Sequence, residues 1–311
     1  MSSWTRYVAL ARQASIDTPA TSGFKYIHVD SCDLHLEKEI IYDEDNISYI
    51  EYSSALEGLR TVKGGIEQRL NPSMIGELLN SFFGGATTTQ IESSTAYLHS
   101  FTPSNNVIPY TVIVAADGIA ERFIGCGVGK IEFIFEAGEA PTMRSELLGR
   151  DMDITTPSIP SYPSVRNWLP TETSLTLGGE AVFIKKLELS LENGLSDDEF
   201  VVGSNVLQRL SPRKYSVDIK LSARFLTSSR LEEFLSGSET SMRINLTGPE
   251  IPGAEGHSYQ LIIEMPRVVY DSHTAEIDAR ELLVEEIEMR ALRTLSEPSI
   301  SISLKNTDPG Y

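Results

Sequence analysis

The chain has 311 residues, a length typical of about two domains. Its 26 lysine and arginine residues face 44 aspartate and glutamate residues, a formal net charge of −18, which argues against a protein that grips nucleic-acid phosphates. Hydrophobic residues make up 41% of the chain, enough for a buried core, and no apolar run is long enough to span a membrane. With only Cys32 and Cys126, and no secretory signal pattern, we expect folding in a reducing compartment without disulfides.

Strict alternation of apolar and polar residues predicts strands along much of the chain. In the clearest run, residues 215–225, every odd position is apolar and every even position is polar or charged, as in a half-buried antiparallel strand. The pair Asp117-Gly118 predicts a hairpin turn, because both residues tolerate positive φ. Further strands are predicted at residues 34–40, 62–70, 111–115, 131–136, 187–192 and 300–304.

Two short helices interrupt the strand pattern. The first follows Asn71-Pro72, an N-cap residue and a proline suited to the first helical position, and should stop at Gly84. The second should begin at Thr227 or Ser228 and stop at Gly237. Both carry apolar residues at spacings of three and four, which predicts helices that face a core. We therefore expect an α+β protein that is mainly β.

Three blocks of sequence recur in the same order, which predicts a tandem duplication. A shift of 153 residues places Ile66 on Ile219, a shift of 149 places residues 110–114 on residues 259–263, and a shift near 144 places residues 144–148 on the segment that starts at Met289. Four prolines between the copies predict an extended connector, since proline cannot pair within a sheet. The expected organisation is an N-terminal arm (1–23), a first repeat (24–150), a linker (151–170) and a second repeat (171–311).

The sequence contains little that could support catalysis or metal binding. His28, Cys32 and His35 could meet on a metal, but positions 32 and 35 of a strand point to opposite faces, which favours ordinary strand residues. The glycine-rich segment at 125–130 lacks the spacing of a phosphate-binding loop, and strand glycines at a bulge are the simpler interpretation. Cys126 lies in no nucleophile motif. We expect no enzyme activity, no catalytic residue, no cofactor and no metal.

Acidic residues form two groups that could serve assembly. The first lies on predicted strands, opposite the buried face, and would coat a bore with negative charge if sheets joined into a ring: Glu132, Glu136, Glu188, Glu192, Glu286 and Glu288. The second lies in two long polar loops, residues 42–60 and 193–213, which are candidates for contacts between rings: Asp43, Glu44, Asp45, Asp197, Asp198 and Glu199.

The ordered motifs resemble those of the major tail tube proteins of long-tailed, siphovirus-like bacteriophages. They are LRTVKGGIE at 59–67, LNPSMIGELL at 70–79, the Asp117-Gly118 turn, FIGCGVGKIEF at 123–133, AGEAP at 137–141 and GRD at 149–151. The resemblance is one of pattern and extends over both copies, from about Phe24 to Lys305. Residues 4–17 do not show the opening motif of relatives, hence the expectation of an arm there.

The resemblance implies a fold and an assembly. Each copy would be a β-sandwich or split-barrel tail-tube domain with a flanking short helix, and subunits would join sheets into a continuous β-barrel ring. A chain with two such domains would form homotrimeric, pseudo-hexameric rings that stack into a helical assembly, the hollow conduit for DNA ejection. Expected partners are further copies of the chain, the tape measure protein, and the tail terminator and distal tail proteins. Double-stranded DNA would pass without specific binding. The expected location is the virion tail, assembled in the bacterial host cytoplasm and without contact to a membrane.

Two alternatives stay open. Another tail component of related fold, such as a tail terminator, a distal tail protein or a secretion-system tube, would share most of these features. A carbohydrate-binding or hydrolytic β-sandwich would need exposed aromatic residues beside paired carboxylates, and the two tryptophans, Trp4 and Trp168, do not lie in such a setting.

Overall fold

Nineteen strands and two α-helices make up the described part of the protein. The computed structural model describes residues 6–42, 52, 54–224, 229–276 and 284–311. The strands are β1 (Tyr7–Arg12), β2 (Lys25–Ile27), β3 (Ser31–Cys32), β4 (His35–Tyr42), β5 (Ala55–Arg69), β6 (Thr87–Gln90), β7 (Tyr97–Phe101), β8 (Tyr110–Ala116), β9 (Ile119–Glu136), β10 (Thr142–Gly149), β11 (Asp151–Thr155), β12 (Thr173–Leu177), β13 (Glu180–Ala181), β14 (Ile184–Glu192), β15 (Ser216–Arg224), β16 (Thr240–Glu250), β17 (Ser258–Glu276), β18 (Val284–Ala291) and β19 (Ser301–Asn306). The helices are α1 (Gly76–Phe83) and α2 (Ser229–Ser236), and a short 3₁₀ turn covers Pro170–Glu172. The predicted α+β, mainly-β class is confirmed.

The same order of four strands occurs twice. The first set is β4–β5–β10–β9 and the second is β14–β15–β18–β17, with every neighbouring pair antiparallel. Ile66 of β5 lies opposite Ser145 of β10, and Ile219 of β15 lies opposite Met289 of β18. The first and third of the sequence shifts therefore place equivalent strands on each other, β5 on β15 and β10 on β18, which supports the predicted duplication.

The middle block of the sequence comparison was matched to the wrong strand. It aligned the start of β8 with β17, whereas the pairing aligns β8 with β16 and β9 with β17. Val112 of β8 lies opposite Phe123 of β9, and Ile244 of β16 lies opposite Ile263 of β17. Alternation with a period of two looks alike in any half-buried strand, so the pattern could not distinguish the two alignments.

The two sets of strands form one continuous sheet. The C-terminal half of β9 pairs with β14, with Phe133 opposite Leu189 and Ile131 opposite Leu191. All four side chains are buried. A second link lies farther along the chain, where β7 of the first repeat pairs with β19 of the second. Core burial and backbone hydrogen bonds thus both cross the boundary between the repeats.

Helix α1 begins later than predicted. Pro72 lies in a turn, in which the Ser73 amide donates to Asn71 Oδ1 at 3.0 Å, and the helix starts at Gly76. The Asn71 side chain therefore caps a turn that precedes the helix. The predicted end is confirmed, because Gly84 has φ 71°, a left-handed conformation that closes the helix without a Cβ clash. For α2, Gly237 likewise has φ 66°, while the predicted start at Thr227 or Ser228 lies outside the described residues.

The prediction of an arm at residues 1–23 is wrong for the described part of that segment. Tyr7–Arg12 forms β1, which pairs with both β8 and β2 and is buried except at Arg12. Its residues Val8 to Ala11 are all apolar, as expected for a strand covered on both faces, and such a run lacks the alternation by which the other strands were found. The predicted linker also begins with a strand, since β11 pairs with β9.

A first prediction compares the equivalent positions of the two helices. Phe82 of α1 is completely buried, whereas Leu235, which holds the same place in α2, is 73% exposed. We expect Phe82→Ala to lower the free energy of unfolding by about 3–5 kcal/mol, because it leaves a cavity in the core. The matched change Leu235→Ala should cost no more than about 0.5 kcal/mol. Urea unfolding of the dilute protein measures both, and equal losses would contradict the assigned packing.

Candidate assembly surfaces

The six glutamates predicted to line a bore lie on one face of the sheet. They belong to β9, β14 and β18, with β15 between the last two. Residues opposite each other in antiparallel strands point to the same face, and Glu188 lies opposite both Ile134 and Lys220, which in turn lies opposite Glu288. The alternate residues of these strands are buried. The structure thus brings the six together on the polar face of one sheet.

This polar face is of mixed charge, whereas the sequence analysis considered only its glutamates. The four strands carry seven carboxylates and five basic side chains on this face. Ion pairs join half of the predicted glutamates to lysines: Lys130 Nζ to Glu132 Oε1 at 2.6 Å, Lys186 Nζ to Glu188 Oε1 at 2.7 Å and Lys220 Nζ to Glu288 Oε1 at 3.2 Å. The hydrogen bonds that Lys130 and Lys186 donate to Glu132 and Glu188 raise the pKa of both ammonium groups. The face remains acidic in balance, and within the described residues Glu136, Glu192 and Glu286 form no ion pair.

A long hairpin formed by β4 and the first part of β5 exposes apolar side chains. Ile40 and Ile41 are successive residues, so their side chains point to opposite faces of the hairpin, yet both are at least half exposed. Leu56, opposite Ile41, is also exposed, and Tyr42 contacts Tyr52 with ring centroids 5.3 Å apart. Because both faces of the hairpin are exposed to solvent here, this part of the hairpin projects beyond the body of the protein. Clustered exposed apolar residues mark an interaction surface.

The loop at residues 193–213 folds back against β5, next to the base of this hairpin. The Arg60 amide donates to the Asn205 carbonyl at 2.8 Å, and Lys63 Nζ lies 3.5 Å from Asp197 Oδ2. Leu207 is buried and anchors the loop, whereas Val202 is fully exposed at its turn. The two loops predicted to contact other rings are therefore neighbours in space, and they form one composite surface.

The acidic residues of the second loop mostly stabilise the loop itself. Asp198 accepts hydrogen bonds from Ser196 and from Arg213, and the Ser196 bond is the largest cause of a lowered Asp198 pKa. Asp197 is tied to β5 as described, and the Glu199 carbonyl accepts from the Gln208 amide. Asp43, Glu44 and Asp45 lie outside the described residues. The exposed apolar residues of the two loops, which the sequence analysis passed over, are the better candidates for contacts.

The residues considered for catalysis or metal binding lie in surroundings that fit a structural role. The segment Gly125 to Lys130 runs within β9, and Gly129 is the extra residue at a bulge opposite Glu146 and Leu147. Burial raises the pKa of both the Cys126 and the Cys32 thiol, which opposes the reactive thiolate form. In the described ranges, no three His, Cys, Asp or Glu side chains are grouped as metal ligands.

Two contacts between the repeats were not foreseen. The hairpin β6–β7 comes from the first repeat but extends the second repeat's sheet at β19, and no sequence pattern indicates such a crossing. Tyr311 inserts its ring over Gly76 of α1, and its hydroxyl donates to Asp308 Oδ2 at 3.0 Å. The glycine at position 76 is the signal that could have indicated a close approach, because any side chain there would clash with the ring.

Comparisons with known proteins agree with this architecture. None of the curated proteins matches the chain. No helix among the described residues is long and apolar enough to cross a membrane. A family model described as Phage tail tube protein matches residues 3–291, which covers the first repeat, most of the second and nearly the whole chain. The chain therefore belongs to the phage tail tube protein family, and it is a structural component of the phage tail.

Proposed function

We propose that three copies of this chain close into a pseudo-hexameric ring and that such rings stack into the hollow conduit through which phage DNA is ejected. The observation that carries the proposal is the repeated strand order: two equivalent sets of four strands share one sheet, joined edge to edge through β9 and β14. Two units per chain and three chains give six units around a ring. In this assembly each chain would serve as a structural subunit and not as an enzyme.

The open ends of this sheet support ring closure. Among the strand pairings of the described residues, β4 pairs only with β5, and the C-terminal half of β17 pairs only with β18. Unpaired sheet edges invite pairing with another chain, and a closed ring of sheets removes every such edge. The two open edges lie at opposite ends of the strand order, as a head-to-tail ring requires.

The polar face of β9, β14, β15 and β18 is proposed to line the bore. Its acidic balance would repel DNA phosphates, so DNA would slide through without specific binding. Its lysines are neutralised by neighbouring carboxylates, as the ion pairs of Lys130, Lys186 and Lys220 illustrate. Neutralised lysines would offer DNA few free cations to bind.

The composite surface of the β4–β5 hairpin and the 193–213 loop is proposed to contact the next ring. Its exposed Ile40, Ile41, Leu56 and Val202 would be buried on stacking, which supplies a hydrophobic driving force for polymerisation. Within this proposal the tube forms in the host cytoplasm around a tape measure protein, in a siphovirus-like virion. Tail terminator and distal tail proteins would cap its two ends.

Electron microscopy of the concentrated purified protein tests the ring. We expect hollow rings with a three-fold repeat, stacked into tubes. Single copies with bound glycan would contradict the proposal in favour of a carbohydrate-binding β-sandwich. Finite rings that do not stack, even with the other tail proteins added, would indicate a tail terminator or distal tail protein.

The stacking surface predicts a separation of rings from tubes. The double change Ile41→Asp and Leu56→Asp places charges on two opposed exposed residues of the hairpin. Folding and ring formation should persist, while tubes should be lost, because stacking would bury both carboxylates. The control Leu295→Asp alters a fully exposed leucine outside the hairpin and should leave tubes intact. Normal tubes from the double variant would contradict the stacking assignment.

The bore predicts an effect of charge reversal on DNA passage. In a triple variant with Glu136, Glu192 and Glu286 changed to Lys, tubes should assemble but retain DNA, since free cations on the bore would bind phosphates. The measurement is DNA ejection from virions that carry the variant, and ejection should recover as the salt concentration rises. The control reverses three exposed carboxylates away from this face, Glu180, Glu255 and Glu297. Equal ejection by both variants would contradict the assignment of the bore.

A further inference from the structure

The two helices occupy equivalent places in the repeats but differ in how they are covered. Each follows the second strand of its four-strand set, and each ends at a glycine with positive φ. The shift that relates β5 to β15 also takes Gly76, the first residue of α1, to Ser229, the first residue of α2. Each helix packs on its own sheet: Phe82 of α1 is part of the core, and the Phe234 ring of α2 stacks on His273 with centroids 6.2 Å apart. The equivalence makes α1 a guide to what α2 requires.

The outer side of α1 is covered by residues of the second repeat. Tyr215 donates its hydroxyl to the Phe82 carbonyl at 3.0 Å, and its ring meets the Phe82 ring edge-on at 5.6 Å. The Tyr311 ring covers Gly76, and Asn306 Nδ2 donates to the Pro72 carbonyl at 2.8 Å. Together with the cover from its own repeat, these contacts leave all eight residues of α1 buried.

Helix α2 has no such cover from within the described chain. Leu235 holds the place of Phe82 but is 73% exposed, and no described residue of α2 is fully buried. The repeat that would cover it, by analogy with α1, is one that follows the second repeat. Among the described residues no further repeat lies beside α2, so this place is open to a second copy of the chain.

The sheet edge beside α2 is open in the same way. The C-terminal half of β9 lies between β10 and β14, whereas the equivalent part of β17 has only β18 beside it in the described residues. Similarly, β14 lies between β15 and β9, whereas β3 pairs only with β5 within those residues. The junction between repeats is therefore formed once within the chain. The strands equivalent to its two halves, β17 and β3, lie unpaired on one side at opposite ends of the strand order.

We infer that the second repeat of one copy binds the first repeat of another copy in the geometry of the intrachain junction, with β17 paired antiparallel to the β3 edge and Leu235 of α2 buried by that copy. This inference rests on the proposed ring and specifies its interface. The occupant of both open surfaces is a second copy of this chain, because each copy itself carries both halves of the junction seen between β9 and β14.

The strand pairings fix the register on the β17 side. Within the chain, Ile134 of β9 lies opposite Thr142 of β10. The shift that relates β10 to β18 takes Thr142 to Glu286, which lies opposite Thr274 of β17. Thr274 therefore holds the place of Ile134.

The register on the β3 side follows from the other half of the junction. Ile134 pairs across the junction with Glu188 of β14, which also lies opposite Lys220 of β15. The shift that relates β5 to β15, applied in reverse, takes Lys220 to Glu67 of β5, which lies opposite Ser31 of β3. Ser31 therefore holds the place of Glu188, and Thr274 of one copy lies opposite Ser31 of the next.

The surroundings of these residues agree with this register. Thr274 and Ser31 are both exposed, as residues of the polar face should be. Their chain neighbours His273 and Cys32 come to lie opposite each other on the other face, where the His273 side chain is only 2% exposed and Cys32 is half-buried. A slip by one residue would place exposed side chains against the core on one of the two strands.

Cysteine pairs test the register. In a Cys32→Ser background, the double variant Ser31→Cys with Thr274→Cys should form disulfides between copies on mild oxidation of the assembled protein, giving dimers and closed trimers on a non-reducing gel. Opposed residues of antiparallel strands have Cα atoms about 4.5–5.5 Å apart, which lies within the range that a disulfide bridges. The pair Ile134→Cys with Glu188→Cys is the positive control, and it should link within one chain only.

A register control uses the same edge. Glu37 of β4 is exposed and lies six residues from Ser31, about 20 Å along an extended strand. Glu37→Cys with Thr274→Cys should give no crosslink. Crosslinking through position 37 in place of position 31 would overturn the inferred register.

Substitution of Leu235 tests the cover on α2. Leu235→Asp should lower the fraction of protein in rings roughly tenfold at a fixed concentration, because the interface would bury an unpaired carboxylate. Leu295→Asp is the matched control and should leave that fraction unchanged. An unchanged urea midpoint of the dilute variant would show that folding is intact.

The outcomes separate this inference from the proposed function. If the protein without substitutions forms three-fold rings but neither the Ser31–Thr274 crosslink nor the effect of Leu235→Asp is seen, the interface is wrong and the ring stands. If it forms neither rings nor crosslinks under any assembly condition, both are overturned. Rings together with the crosslink and the Leu235 effect support both.

Discussion

The pairing of β9 with β14 is the contact on which the rest of the architecture depends. It joins two equivalent sets of four strands through seven opposed residue pairs, with Phe133, Ile131, Leu189 and Leu191 buried beneath the sheet. Without this pairing, each set would have one more unpaired edge strand, and the apolar side chains along that edge would be exposed. With it, the polar residues of both repeats fall on one continuous face, and the free edges move to the two ends of the chain's sheet.

An ion pair with a buried carboxylate fixes each helix to its repeat, but α1 supplies the carboxylate of its pair whereas α2 supplies the cation. Glu77 of α1 lies 2.8 Å from Lys25 Nζ and accepts a hydrogen bond from Tyr110, whose pKa is raised by burial and by the Glu77 charge. At the equivalent place in α2, Arg230 pairs with the buried Glu285. Breaking a buried pair leaves an uncompensated charge and costs several kcal/mol, so both helices are held firmly to their sheets. The difference in cover is therefore confined to their outer sides.

Individual elements show which structural features could be predicted from the sequence and which could not. The alternation at 215–225 predicted β15, and the Asp117-Gly118 turn is found between β8 and β9 with positive φ at both residues. By contrast, β1 was taken for an arm because residues 4–17 lack the opening motif of relatives. Its continuous apolar run has no period of two that would have indicated a half-buried strand. The match of β8 with β17 shows the opposite error, since alternation alone cannot distinguish one half-buried strand from another. The structure places the six glutamates on one polar face. Two of the lysines that pair with them, Lys130 and Lys186, lie two residues away on the same strand, so the sequence could have indicated them, whereas Lys220 meets Glu288 through the register of β15 and β18.

The sequence by itself determined the fold class, the positions of the alternating strands, the buried side of those strands and the glycine that ends each helix, because these features depend on local periodicity and on glycine. Only the tertiary structure decided which strands pair, that the hairpin β6–β7 crosses into the second repeat, and that α1 is covered while α2 is open. Those features depend on contacts between residues far apart in the chain. Their free energy comes from burial and backbone pairing across that distance, and no local pattern records it.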